Sequence, residues 1–164
     1  MKTQIKTLTL LIFMAATLFS CSKKSDNGTQ PLTATNWTFG GTTYKGTYTG
    51  ITNNDLIAND NAITTFPNIE MQFGSTPTAG TYTVINNLTD NGTIGSTQCY
   101  INMSDGNGDY EYYSYNGGTV TVTINNGKVT ASFNNIGMAT SGFDNNNNLV
   151  FTPTGKVSGT LIQQ

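Results

Sequence analysis

Asp105, Asn107 and Asp109 alternate through a glycine-rich stretch that runs into Tyr110 and Glu111. Side-chain oxygens at alternate positions of a tight loop gather on one side, and hard cations such as calcium prefer such ligands. Asp and Asn also suit a plain hairpin turn without any metal. The same residues therefore read either as a calcium loop or as the turn between a strand around Cys99 and one around Tyr110. Four tyrosines crowd that second strand, Tyr110, Tyr112, Tyr113 and Tyr115, with Tyr100 in the first. A period of two puts Tyr110 and Tyr112 on one face and Tyr113 and Tyr115 on the other. One pair is expected in the core and the other toward solvent, unless a bulge at 112–113 changes the parity. Exposed tyrosines beside Asp and Asn are the ingredients of a glycan-binding platform, with rings stacking on sugar faces and amides bonding hydroxyls. The plainer role is cross-strand aromatic pairing that steadies a sheet.

Missing residue types narrow the chemistry further. The 164 residues include no histidine, and all seven cations are lysine. Ser-His-Asp and Cys-His catalysis and imidazole metal sites are thereby excluded, as is the bidentate arginine fork for phosphate or carboxylate. A net charge of -2 with so few cations argues against nucleic acid as a partner. Counted from Asp105, the sixth loop position is Tyr110 and the twelfth is Asn116. A twelve-residue calcium loop of the helix-loop-helix kind needs Gly and a bidentate Glu there. Glu70 and Glu111 are the only glutamates, and Glu70 alternates outward between Ile69 and Met71. A small accessory hydrolase using Asp105, Asp109 or Glu111 would need two carboxylates facing one another across a cleft. Cys99 alternates with Ile101 and Met103, the pattern of a buried small hydrophobe. No cofactor is implied beyond the calcium option, and no enzymatic activity is expected.

The amino-terminal segment reads as an export signal. Lys2 and Lys6 precede an apolar run over residues 8–19, about a dozen residues long and short of the ~20 that a bilayer span needs. It ends Leu18-Phe19-Ser20-Cys21, which resembles the lipobox of bacterial lipoproteins. That resemblance implies cleavage after residue 20 and lipidation of Cys21 with palmitate-type chains. The mature chain would then carry five lysines against nine acids, a net charge of -4. Ser22 after the lipid site resembles an outer-membrane address, and Ser22-Lys23-Lys24-Ser25-Asp26-Asn27 loosely resembles the charged segment that sends some Bacteroidetes lipoproteins to the cell surface. The expected location is the outer membrane, with its periplasmic and outer faces both open. Residues 22–35 are polar and without period, a tether with an r.m.s. reach of roughly 20 Å.

The elements that must position the tyrosines and acids belong to residues 36–164, the size of one domain. With 30 threonines, 21 asparagines and 18 glycines, no helix-period stretch appears. Thr, Tyr and Val suit a half-buried pleated surface, and turn signals recur every ten residues or so. Over residues 118–134, Val120, Val122 and Ile124 alternate with threonines, Asn126-Gly127 turns the chain, and Val129, Ala131 and Phe133 alternate back. This is a β-hairpin with one buried face and one wet face. Further strands are expected at 37–39, 44–48, 69–73, 82–84, 99–103, 110–115, 149–151 and 157–162, with 51–65 irregular. Trp37 opens the first of them in alternation with Phe39 and is assigned to the core. Nine or ten strands joined by hairpins predict an all-β antiparallel sandwich, with a closed up-and-down barrel as the alternative. Trp37-Thr38-Phe39, Ala79-Gly80-Thr81-Tyr82, Gly117-Gly118-Thr119-Val120 and the Gly/Thr-rich carboxyl end behind a lipobox resemble small all-β lipoproteins of Bacteroidetes-type bacteria. The expected function is a lipid-anchored envelope protein that binds a glycan or an envelope protein, or supports a surface assembly.

Overall fold

The computed structural model describes residues 34–60, 67–86, 93–105, 111–115 and 117–164. Cys21, Asn107, Asp109 and Tyr110 lie outside the described residues. Eleven strands are described: β1 (Asn36–Phe39), β2 (Thr42–Lys45), β3 (Tyr48–Thr52), β4 (Asp55–Asn59), β5 (Asn68–Phe73), β6 (Gly80–Val84), β7 (Gln98–Ser104), β8 (Glu111–Ser114), β9 (Thr119–Asn125), β10 (Lys128–Phe143) and β11 (Leu149–Ile162). They form one sheet in the order β2-β1-β11-β10-β9-β6-β7-β5-β4-β3, with β8 off this path between β10 and β7. All pairs are antiparallel except β6 with β7. Residues 85–97 join that parallel pair, and a parallel return needs a connection of about a dozen residues.

The sheet folds back on itself in sandwich fashion. Gln164 N donates to Thr49 O at 3.0 Å and the Thr49 hydroxyl to that of Thr35 at 2.8 Å, while Ile162 N donates to Thr35 Oγ1 at 2.8 Å. These bonds bring the β3 edge back to the end of β11. They are a few stitches and not a continuous ladder, so no regular barrel closes. Period-2 alternation fills a single core from both halves: Trp37 and Phe39 of β1, Leu56 and Ala58 of β4, Ile69, Met71 and Phe73 of β5, Cys99, Ile101 and Met103 of β7, Val120 and Val122 of β9. The opposite positions of β9, Thr119, Thr121 and Thr123, are exposed. Outward strand faces thus account for much of the threonine.

The β9–β10 hairpin turns at Asn126 (φ 51°) and Gly127 (φ 76°), the left-handed pair that a type I′ turn requires. Four boundaries differ from expectation. The run at 44–48 is broken, because Gly46 packs on Thr35: a Cβ there would lie 2.3 Å from Thr35 Cγ2. The stretch after residue 51 forms the β3–β4 hairpin, turned by Asn53 at φ 56°. β10 does not stop at Asn134. Asn135 adopts φ 56° and the register slips between Phe133 and Ile136, a bulge that returns Ile136 to the core after an odd step. Residues 149–151 and 157–162 are one strand. Pro153 is accommodated next to the register slip at Met138/Ala139, on a stretch where β10 is the only neighbour among the described residues. The far end of this β10–β11 ribbon exposes Phe143 (70%) and is turned by Asp144, whose carboxylate accepts from Asn146 N and Asn148 N, both at 2.8 Å. Those bonds hold the Asp144 carboxyl below its ordinary range.

Candidate functional site

With Ile69, Met71 and Phe73 turned inward, β5 must present Asn68, Glu70 and Gln72 on its other face. β7 does the same with Tyr100, Asn102 and Ser104, because Cys99, Ile101 and Met103 fill the core. Register then aligns these outward residues across strands. Ile57, Glu70, Asn102, Tyr113 and Ala139 form one row, Asp55, Gln72 and Tyr100 a second, and Asn68, Ser104 and Glu111 a third. Acids, amides and tyrosines from β4, β5, β7 and β8 thus share one face.

The parity expected of the tyrosine strand holds for the described residues. Tyr112 turns inward and packs on Phe39, ring centroids 4.7 Å apart at 58°. Tyr112, one of the four tyrosines considered for a glycan platform, therefore packs against the core and takes no part in an exposed platform. Tyr113 and Tyr115 face outward and are partly exposed, with the Tyr115 ring 6.4 Å from Phe151. Of the proposed calcium ligands, Asp105 alone is described, and its Oδ2 accepts from the Tyr112 hydroxyl at 3.3 Å. No group of three His, Cys, Asp or Glu able to hold a metal occurs among the described residues.

The face is electrostatically loaded. Burial raises the Glu70 carboxyl, with Asp55 and then Glu111 adding repulsion, while Asn102 hydrogen-bonds the charged form. Asp55 is raised by burial and hydrogen-bonded by Gln72. Burial raises the Tyr100 hydroxyl too, and Glu70 and Asp55 push the same way. The Tyr113 hydroxyl donates to Glu111 Oε2. Burial and that bond push it up to about 12. Cys99, fully enclosed, is also pushed up to about 12 by burial and is an inert core thiol. Glu70 and Glu111 lie two strands apart in neighbouring register rows, and both line the same cavity.

Glu70 makes stability pH-dependent in a definite direction. Its folded-state pKa lies above the ordinary 4.5. Its contribution is therefore favourable below that value and is lost as pH rises through the folded pKa. Glu70→Gln is expected to raise Tm at near-neutral pH, with the gain disappearing as pH falls to about 4.5, when followed by scanning calorimetry. A gain that persisted at acid pH would show that charge at Glu70 is not its origin.

A cavity of about 220 Å3 opens among Asn68, Glu70, Asn102, Met103, Ser104 and Glu111. A second, shallow depression of about 360 Å3 lies on the threonine face, lined by Thr119, Thr121, Ser132, Phe133, Asn134, Gly159 and Thr160 and by no charged group. The first combines titratable, amide and hydroxyl groups beside an aromatic ring, and it is the better candidate. Sequence reasoning singled out Tyr113 and the outward Glu70 but missed Asn68, Gln72 and Asn102. The strict alternation over 68–73 was the available signal for the first two. Comparison of the chain with protein-family models, curated proteins and solved structures gives no match.

Proposed function

We propose that the chain is a lipid-anchored cell-envelope protein whose β domain is a non-enzymatic binding module with glycans as its ligand class. The observation that carries this reading is the outward face of β5, β7 and β8. There Tyr100 and Tyr113 stand partly exposed beside Asn102, Gln72 and Glu70 in adjoining register rows. Rings of this kind stack on the apolar faces of sugars, while amides and carboxylates bond their hydroxyls. A sheet holds such groups more rigidly than a loop does, so little ordering cost is added on binding. The anchor rests on the sequence around Cys21, and residues 22–35 are long enough to hold the domain off the headgroups.

Two measurements test the reading. A glycan array probed with the full chain should give a defined set of positives, and Tyr113→Ala should reduce them about fivefold or more, the scale of one lost aromatic contact. A blank array would move the reading to a scaffold or to a protein partner. Labelled palmitate should enter the wild type and be absent from Cys21→Ala; an unlabelled wild type would refute the anchor.

A further inference from the structure

Ser104 is 4% exposed, and its Oγ has no hydrogen-bond partner among the described residues. Buried hydroxyls are nearly always paired, so an unpaired one calls for an explanation. The residue lines the 220 Å3 cavity with Asn68, Glu70, Asn102 and Glu111, while its Oγ is itself covered. Polar groups that converge on a pocket and lack a protein partner are suited to a ligand that supplies the missing bond.

The charges restrict the class of that ligand. The charged groups acting on Glu70 are Asp55 and Glu111, both acids. Among the described residues no lysine lines the cavity; Lys45, Lys128 and Lys156 lie on β2, β10 and β11. An anion would meet repulsion from the two lining acids, whereas a cation would relieve the repulsion between Glu70 and Glu111. Size and donor set restrict it again. The cavity holds the liquid volume of about seven waters, room for one sugar ring rather than a bare ion, and two carboxylates line it. Tyr113, beside Asn102 in register and bonded to Glu111, supplies a ring at the rim for stacking or for a cation–π contact.

We propose that this cavity is a subsite for a protonated amino sugar, with the ammonium paired to Glu70, Asn68 and Asn102 bonding ring hydroxyls, and a further hydroxyl taken up by Ser104 Oγ as its side chain turns toward the cavity. The proposal rests on the glycan-platform reading and names the sugar class that the platform selects. Anchoring one charged residue of a longer chain would fix the position of the neutral sugars that follow across Tyr100 and Tyr113.

The test is calorimetric titration of the full chain in detergent with three tetrasaccharides of similar length: a glucosamine oligomer with free amines, its fully N-acetylated form, and a glucose oligomer. The free-amine oligomer is expected to bind about tenfold or more tighter than either neutral one, the scale of a lost partner in a desolvated charge pair. Glu70→Gln should remove the preference while remaining folded. Ser104→Ala should weaken the amine oligomer several-fold. Asp144→Asn makes the same change of charge at the far ribbon turn and should leave the preference intact. Equal binding of all three oligomers overturns the amine assignment and leaves the platform reading standing. No binding of any overturns the amine subsite, and a blank glycan array beside it overturns the platform as well. A preference lost equally in Asp144→Asn assigns it to net charge and overturns the subsite. A calcium-induced rise in Tm that Glu70→Gln abolishes makes the cavity a metal site and overturns the sugar assignment.

Discussion

Replacing Trp37 with alanine is expected to lower the unfolding free energy by about 3–5 kcal/mol. Trp37 is fully enclosed, and its ring stacks on Tyr44 with centroids 5.4 Å apart and planes 16° from parallel. Its indole N–H has no partner among the described residues, so truncation removes apolar burial and leaves a cavity without breaking a hydrogen bond. Collapse into that cavity is obstructed from one side. Gly159 lies directly across from Trp37 on β11, already so close that a Cβ there would sit 2.8 Å from Trp37 Cα and 2.5 Å from Asn36 O. With a whole domain stable by about 5–15 kcal/mol, this loss is a large share of the total. A fall in Tm of roughly 10–20 °C is expected. Because Trp37 is the only tryptophan, unfolding in urea must be followed by far-ultraviolet circular dichroism. The midpoint should move with little change in slope. A shift worth under about 1 kcal/mol would show that the β1–β11 contact closes over the gap and that Trp37 is not a keystone of the core.

Strand identity was legible because one-sided burial writes itself into period-2 alternation. Asn68-Ile69-Glu70-Met71-Gln72-Phe73 and Thr119-Val120-Thr121-Val122-Thr123 need no partner to reveal which side faces the core. The Asn126-Gly127 turn was equally plain, since a left-handed pair of residues has few solutions. Continuity of strands was not. Asn134-Asn135 reads as a stop, yet the bulge it forms carries β10 on by eight residues to Phe143. Residues 149–151 and 157–162 read as separate strands, yet β11 runs through Pro153 where, among the described residues, only β10 pairs with it. Both exceptions depend on what lies beside the strand, which alternation does not encode. The parallel β6–β7 pair was hidden for the same reason.

The candidate site divides along the same line. The opposite facing of Tyr112 and Tyr113 followed from parity alone. That Tyr112 is the inward member depends on Phe39, which arrives from the other end of the domain. The platform takes Glu70 from β5, Asn102 from β7 and Tyr113 from β8, and only strand pairing sets them side by side. Single residues with unremarkable neighbours, such as Asn102, carried no sign of this. The acid-rich stretch after Asp105 stands out in the sequence because its oxygen-bearing residues are close along the chain. Closeness across strands left no such mark.

Ser114→Ala is expected to cost about 2–4 kcal/mol, from two buried polar groups left unpaired at the place where the sheet branches. β7 pairs with β6 at Gln98 and Cys99 and with β8 from Asn102 to Ser104, so Ile101 falls in the gap between the two neighbours. Its N–H finds no strand there and donates instead to Ser114 Oγ at 3.1 Å. The same hydroxyl donates to Ile85 O at 2.8 Å, at the start of the crossover that leaves β6. Ser114 is fully buried, so water cannot easily replace either bond. A single hydroxyl thus closes the seam by acting at once as acceptor and donor. Cysteine, with its weaker and longer bonds, should recover part of the loss; valine should recover none. Hydrogen exchange gives the local readout. The Ile101 amide should exchange faster in Ser114→Ala by more than amides of the β9–β10 hairpin, which the seam does not hold. Since Ser114 ends the strand that carries Glu111 and Tyr113, loosening it should also lower glycan affinity without touching a contact residue. Unchanged exchange at Ile101 would mean that the branch is held by its strands alone, and the hydroxyl would then be an occupant of the seam with no structural role.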